Sequence, residues 1–199
     1  MPQNSGPPAT KFQLLDSDAT FGWASIVLHW ITAIIVVALW YFGKSIFNGP
    51  PEESDAMRAL HVSLAASAWL IIFARSIWRL RSGHPRVKGQ SVRIHRIAKL
   101  AHYIMLLVLG LMLLSGPLLV WSGENSISVF GWLSIPSPLS ASEALREFAW
   151  FIHSNSSMVL LALVLLHIGG ALKHLMFHSD DTIARMIWPG RRTAKKGES

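Results

Sequence analysis

The segment Ala149–Phe177 leaves a chain of this kind few options, because it is an apolar run long enough to cross a bilayer and it carries His153 and His167. The two histidines lie fourteen positions apart. At 100° per residue they return to within about 40° of one direction, and at 1.5 Å rise they climb roughly 21 Å of a hydrocarbon core about 30 Å thick. Both rings therefore face one side, near opposite membrane surfaces. A lone histidine at that depth is either a hydrogen-bonded interior residue or a functional one. A co-facial pair at two depths points to two ligand sites stacked across the membrane.

Three more stretches have the same character. Phe21–Gly43 has no formal charge and holds His29; a second span starts near Met57, with His61 in its first turns and Arg75 towards its end; a third covers Ala98–Trp121, with a kink expected at Ser115-Gly116-Pro117. At 51% hydrophobic and 15% charged residues, the chain is more apolar and less charged than a soluble domain. The expectation is an all-α membrane protein, a four-transmembrane-helix bundle. Residues 21–178 form the transmembrane domain, residues 1–20 a polar, loosely ordered and retained N-terminal tail, and residues 179–199 a basic cytoplasmic tail.

Orientation follows from charge. Arg75, Arg79, Arg81, Arg86, Lys88, Arg93, Arg96 and Lys99 fall between the second and third spans with no acidic residue among them, which makes that loop cytoplasmic. Arg185, Arg191, Arg192, Lys195 and Lys196 put the C-terminal tail on the same side, so both termini are expected inside. Trp23, Trp40, Trp78, Trp121, Trp150 and Trp188 lie near span ends, as an interfacial belt does. The net charge of +7 thus speaks for orientation and not for nucleic acid. The loop after the third span, with Phe130, Trp132, Leu133 and Ile135, is expected to rest in the membrane interface and to be long enough to cap the outer end.

With that topology His29 and His167 share the inner half, while His61 and His153 share the outer half. Two bis-histidine pairs follow, one above the other, a set suited to two haems that carry electrons at six-coordinate iron. The chain has no cysteine, which excludes disulfides, thiolate clusters and covalent c-type haem. Small residues, Ala33, Ala65, Ser157 and Ala171, stand four positions after the histidines, and Gly169-Gly170 follows His167. They leave room for a porphyrin, or else reflect ordinary packing between membrane helices. His102 either competes with His29 as an inner ligand or lines a site beside that pair. Near the inner surface, His174 is a proton-handling residue at a quinone pocket or an interfacial side chain. Arg75 is a partner for a haem propionate or one more positive anchor.

The runs S-I-V-L-H-W, M-R-A-L-H-V-S, A-K-L-A-H-Y, W-F-I-H and L-V-L-L-H-I-G-G-A-L-K-H together resemble the bacterial cytochrome b561 family over residues 20–188. The resemblance implies a four-helix, di-haem b bundle of the bacterial inner membrane that exchanges electrons with ubiquinone. It implies axial ligation by His29 with His167 and by His61 with His153, and a cytoplasmic quinone site where Arg75 and His174 match family positions. One branch of the family oxidises superoxide and reduces ubiquinone. Here the outer charges are Lys44, Arg58 and Arg146 against Glu52, Glu53, Asp55, Glu124, Glu143 and Glu147, a field that does not draw in an anion, although Arg58 near His61 is a local attractor. Two function classes stay open: an oxidoreductase that takes electrons from a small outer-face donor, and a membrane anchor and electron wire for a separate dehydrogenase or hydrogenase.

Overall fold

A computed structural model describes residues 13–17, 20–82, 92–177 and 186–188. Four helices dominate it: α1 (Trp23–Asn48), α2 (Ser54–Ser82), α3 (Val92–Trp121) and α4 (Glu143–Phe177). They have 26, 29, 30 and 35 residues. At 1.5 Å per residue even the shortest is roughly 39 Å long, more than a hydrocarbon core needs. All four carry a window apolar enough to span. Each exceeds its apolar segment because the ends continue as polar helix into the interfaces.

α1 packs along α2, α3 packs along α4, and α2 meets α3 more lightly. A core of Ala68 and Ile72 from α2, Val108 and Leu109 from α3 and Leu160 from α4 closes the middle of the bundle, flanked by Ile35, Val36, Leu113, Leu163 and Val164. Large side chains such as Ile34, Leu70, Leu107 and Leu166 point outward. In a membrane that outward face is lipid-covered, so helix association rests on packing and on satisfied polar groups.

Pro117 shows how this works. α3 runs through it as continuous helix, yet proline has no N–H, so the carbonyl of Leu113 four residues earlier loses its helical donor. The indole N–H of Trp69 on α2 donates to that carbonyl at 2.9 Å. A neighbouring helix thus supplies the bond that the proline removes, as the bilayer interior demands.

Of the expected loose tail, the described residues 13–17 are tied to the bundle. The Gln13 and Leu14 carbonyls accept the Trp23 and Ala24 N–H groups at the start of α1. Asp16 accepts from the Gly22 N–H and the Ser25 hydroxyl, both at 2.8 Å, and pairs with Arg79 of α2 at 3.0 Å. Trp78 donates to the same Ser25 hydroxyl, and Arg79 also lies over the Phe21 ring. A carboxylate at a helix N-terminus meets both the unbonded N–H groups and the positive end of the dipole. Met186–Trp188 lies against the other side of α1, where the Met186 carbonyl accepts from the Trp30 indole and Trp188 meets Trp23 edge-on.

The loop after α3 has regular structure of its own. It folds into an antiparallel hairpin of β1 (Ile127–Val129) and β2 (Leu133–Ile135). Phe130 and Gly131 both have positive φ, and the Trp132 N–H closes the turn on the Val129 carbonyl, the mirror-image turn that suits the twist of a hairpin. The hairpin is pinned to α2 by Ser63, whose hydroxyl donates to the Ser128 carbonyl and accepts the Phe130 N–H. Ser63 is two residues from His61, about 200° around the helix. The hairpin is therefore anchored on the side of α2 roughly opposite His61. Its apolar residues Phe130, Trp132, Leu133 and Ile135 are exposed, Trp132 at 95%.

Asp16→Asn removes the charge that holds Arg79 while keeping the side chain's shape. The pair is nearly buried, with side-chain exposures of 6% and 13%, so the expected loss is about 2–3 kcal/mol, just below the roughly 3–5 kcal/mol of a fully buried pair. Thermal unfolding in detergent should show it as a lower midpoint. An unchanged midpoint would show that the Asp16–Arg79 pair contributes nothing to this end of the bundle.

Candidate functional site

Four helices bring polar side chains to two levels, one on each side of the apolar core. At one level, called inner after the orientation expected from charge, His29 of α1 and His167 of α4 face each other with ring centres 6.3 Å apart and planes at 64°. At the outer level His61 of α2 and His153 of α4 stand 6.2 Å apart at 82°. An imidazole of roughly 1.33 Å bonds has its centre about 1.1 Å behind the ligating nitrogen. With about 2.0 Å from nitrogen to a first-row metal, two rings on opposite sides of one ion have centres roughly 6.2–6.3 Å apart. Both pairs have the spacing of two axial ligands.

The donor set fits as well. His61 Nδ1 bonds the Leu39 carbonyl at 2.9 Å; a carbonyl only accepts, so Nδ1 carries the proton and Nε2 is left with its lone pair for a metal. His153 Nδ1 bonds the Ser115 hydroxyl at 3.1 Å, which allows the same tautomer. Holding one ring nitrogen so that the other is presented is how proteins orient metal-binding histidines. Among the described residues, the buried indole N–H groups of Trp40 and Trp121 and the Thr32 hydroxyl have no hydrogen-bond partner. Buried donors of this kind call for an acceptor that a bound polar group supplies.

Two glycines lie against the outer rings, Gly43 tightly and Gly116 at ordinary contact distance. A Cβ on Gly43 would lie 3.2 Å from Cε1 and 3.3 Å from Nδ1 of His61; a Cβ on Gly116 would lie 3.4 Å from Cε1 of His153. Gly43 is four residues after Leu39, so only a residue without a side chain lets the His61 ring reach that carbonyl past the next turn of α1. The small residues expected to give room were those four positions after the histidines and Gly169-Gly170. Gly169 and Gly170 face open space, with nothing within 4 Å of a Cβ.

The inner level differs. Arg75 of α2 places a guanidinium nitrogen 2.9 Å from His29 Nδ1. Arginine only donates, so Nδ1 accepts here and the His29 proton sits on Nε2. Were a metal held at Nε2, the His29 proton would have to sit on Nδ1, and Arg75, which can only donate, would have to turn from that nitrogen. His102 of α3 lies against His167 at 5.2 Å between centres, closer than two rings across one metal, which places it beside the inner pair. His174 falls within α4, but its side chain lies outside the described residues, as do Arg86 and Lys88 of the basic loop.

The sequence held a signal for the glycines. His29 and Gly43, His61 and Arg75, His102 and Gly116, and His153 and His167 are each fourteen positions apart. Every helix thus carries one site residue at each level on one face, and the same spacing that links the two histidines of α4 points to Gly43 and Gly116 from the histidines of α1 and α3.

A family model described as prokaryotic cytochrome b561 matches residues 20–189. The chain is similar to cytochrome b561 homolog 2 of Escherichia coli (strain K12), 30% identical over 176 residues that cover 84% of this chain and 90% of that protein. It is also similar to cytochrome b561 homolog 1 of the same organism, 29% identical over 172 residues, 84% of this chain and 96% of the relative.

Gly43→Val drives a branched side chain into the His61 ring, whereas Gly110, on α3, has nothing within 4 Å of its Cβ. A pyridine haemochrome assay should therefore find less b-type haem per chain in Gly43→Val than in wild type, with Gly110→Val near wild type. Equal haem content in the two variants would show that the close approach of Gly43 to His61 has no part in cofactor binding.

Proposed function

Since this chain belongs to the prokaryotic cytochrome b561 family, multi-pass membrane proteins that transfer electrons on b-type haem, we propose that it holds two such haems and passes single electrons from an outer-face donor to ubiquinone. His61 and His153 hold the outer haem, and His29 and His167 hold the inner one. The observation that carries this reading is the pair of ring separations, 6.2 and 6.3 Å, which both equal the span of two axial imidazoles. Bound haem would supply one-electron oxidation and reduction, and a histidine from each of two helices would leave its metal closed to other ligands.

The protein's residues do the rest. Leu39 and Ser115 hold the Nδ1 sides of His61 and His153, so that Nε2 of each points across the outer level. Gly43 lets the His61 ring seat. The apolar layer of Ala68, Ile72, Val108, Leu109 and Leu160 keeps water from the path between levels. At the inner end Arg75 and His102 form the polar rim where a quinone would be met, and His174, one turn from the end of α4 in sequence, is the further residue assigned to handle its protons. On the outer side Arg58 is exposed one turn before His61 and attracts a small anionic donor such as superoxide.

This assignment has two tests. The first is chemical: the purified chain should contain close to two haems per polypeptide, and His153→Ala close to one. After dithionite reduction, mixing with a soluble ubiquinone analogue in a stopped-flow instrument should reoxidise the wild type, with His174→Ala slower in reoxidation but unchanged in its reduction by superoxide. Reduced haems indifferent to quinone would favour the reading in which the chain is an electron wire for a separate dehydrogenase or hydrogenase.

The second is topological. Arg75, Arg79, Arg81, Arg93, Arg96 and Lys99 gather at the α2–α3 end, which supports an inner-membrane orientation with both termini cytoplasmic. A periplasm-active reporter fused after Pro51 or Ser137 should be active, and one fused after Gly89 inactive. The reverse pattern would exchange the donor and quinone ends.

A further inference from the structure

The two histidine pairs sit in opposite electrostatic settings. At the inner level a guanidinium lies 2.9 Å from the His29 ring. Among the described residues, the carboxylate of Asp16 is committed to Arg79 and none is paired with Arg75. At the outer level the ring nitrogens face groups able to accept: His61 Nδ1–H donates to the Leu39 carbonyl, and His153 Nδ1 bonds the Ser115 hydroxyl, which accepts when Nδ1 carries the proton. The nearest cation along α2, Arg58, is exposed and so screened by water.

Each setting biases an iron held between such rings. Ferric iron carries one more positive charge than ferrous iron, so a cation in a low-dielectric interior disfavours it. An acceptor that draws on Nδ1–H makes the imidazole more basic and favours the ferric form. The cation is at the inner level and the acceptors are at the outer one, so both effects act in the same direction.

We propose that Arg75, together with the Nδ1 acceptors Leu39 and Ser115, places the inner haem at a higher midpoint potential than the outer haem, so that these residues give electron transfer its direction. The inference rests on the two-haem reading. The step moves one electron from a ferrous outer site to a ferric inner site and neither makes nor breaks a bond. With iron on Nε2 of His29, Arg75 loses its bond to Nδ1, but it stays tethered on α2 with its charge at the inner level. Should the guanidinium turn to a haem carboxylate, it offsets that negative charge, and the sign of its effect on the iron is the same.

The test is a spectroelectrochemical titration of the haem-loaded protein in detergent, with haem per chain measured on the same samples. Wild type should resolve two one-electron midpoints. In His153→Ala the surviving midpoint should match the higher of them, which assigns that value to the inner site. Arg75→Gln should lower the higher midpoint by at least the equivalent of tenfold in the electron's partition, about 59 mV for one electron, and leave the lower one in place. Arg75→Lys, which keeps the charge, should restore it. Ser115→Ala should raise the lower midpoint and narrow the gap from the other side.

Several outcomes overturn the proposal: an outer site with the higher midpoint, equal midpoints in Arg75→Gln and Arg75→Lys, or loss of the inner haem from both Arg75 variants, which would assign Arg75 a structural role. Should Arg75→Gln alone lose haem, the wild-type order and the Ser115→Ala shift decide the matter. One haem per wild-type chain would defeat the two-haem reading itself. Two haems whose midpoints ignore Arg75 and Ser115 would defeat this inference alone.

Discussion

A polar atom inside a bilayer must find its partner in the protein, and the arrangement of this bundle depends on that demand. The Leu113 carbonyl, released by Pro117, is taken by Trp69 from a neighbouring helix. The Leu39 carbonyl, which serves its own helix, also receives the His61 ring. Ser63 bonds both a carbonyl and an N–H of the hairpin. In each case the bond that satisfies a backbone or ring atom also joins two elements, so polar satisfaction and helix assembly are one event.

The same demand makes the histidines informative. An imidazole has two nitrogens, and in lipid neither can be left to water. Where one is held by a carbonyl or a hydroxyl, the other faces across to a second ring at a separation that suits one metal ion between them. The inner pair is built differently, since its held nitrogen meets a guanidinium that can only donate. That asymmetry separates two sites that otherwise look like copies of each other.

The two-level plan has a simple geometric origin. Fourteen residues of helix turn by almost four full revolutions and climb roughly 21 Å, so one spacing places a residue at each level on one face of every helix. Inward-running and outward-running helices then present their pairs in opposite order. Of the eight positions so defined, histidines take five (His29, His61, His102, His153 and His167), Arg75 takes one, and Gly43 and Gly116 take the two that lie against a histidine ring from another helix.

Much of this was legible in the chain itself. Length, hydropathy and the absence of charge determined four spans, because a bilayer accepts little else. Helical periodicity determined that His153 and His167 share a face, and alternating direction determined which histidines share a depth. The N-terminal segment read as a loose tail because nothing local shows that Asp16 will meet Arg79, a residue of another helix. The loop after α3 read as a cap because its composition suits an interface, whereas a turn with positive φ at Phe130 is held by Ser63 from the far face of α2. Which carbonyl holds His61, which glycine its ring leans on and which cation faces His29 were decided only when the helices packed. These are contacts between residues distant in sequence, and their angles and distances follow from how the helices rotate against one another, a quantity that no periodicity within a single helix contains.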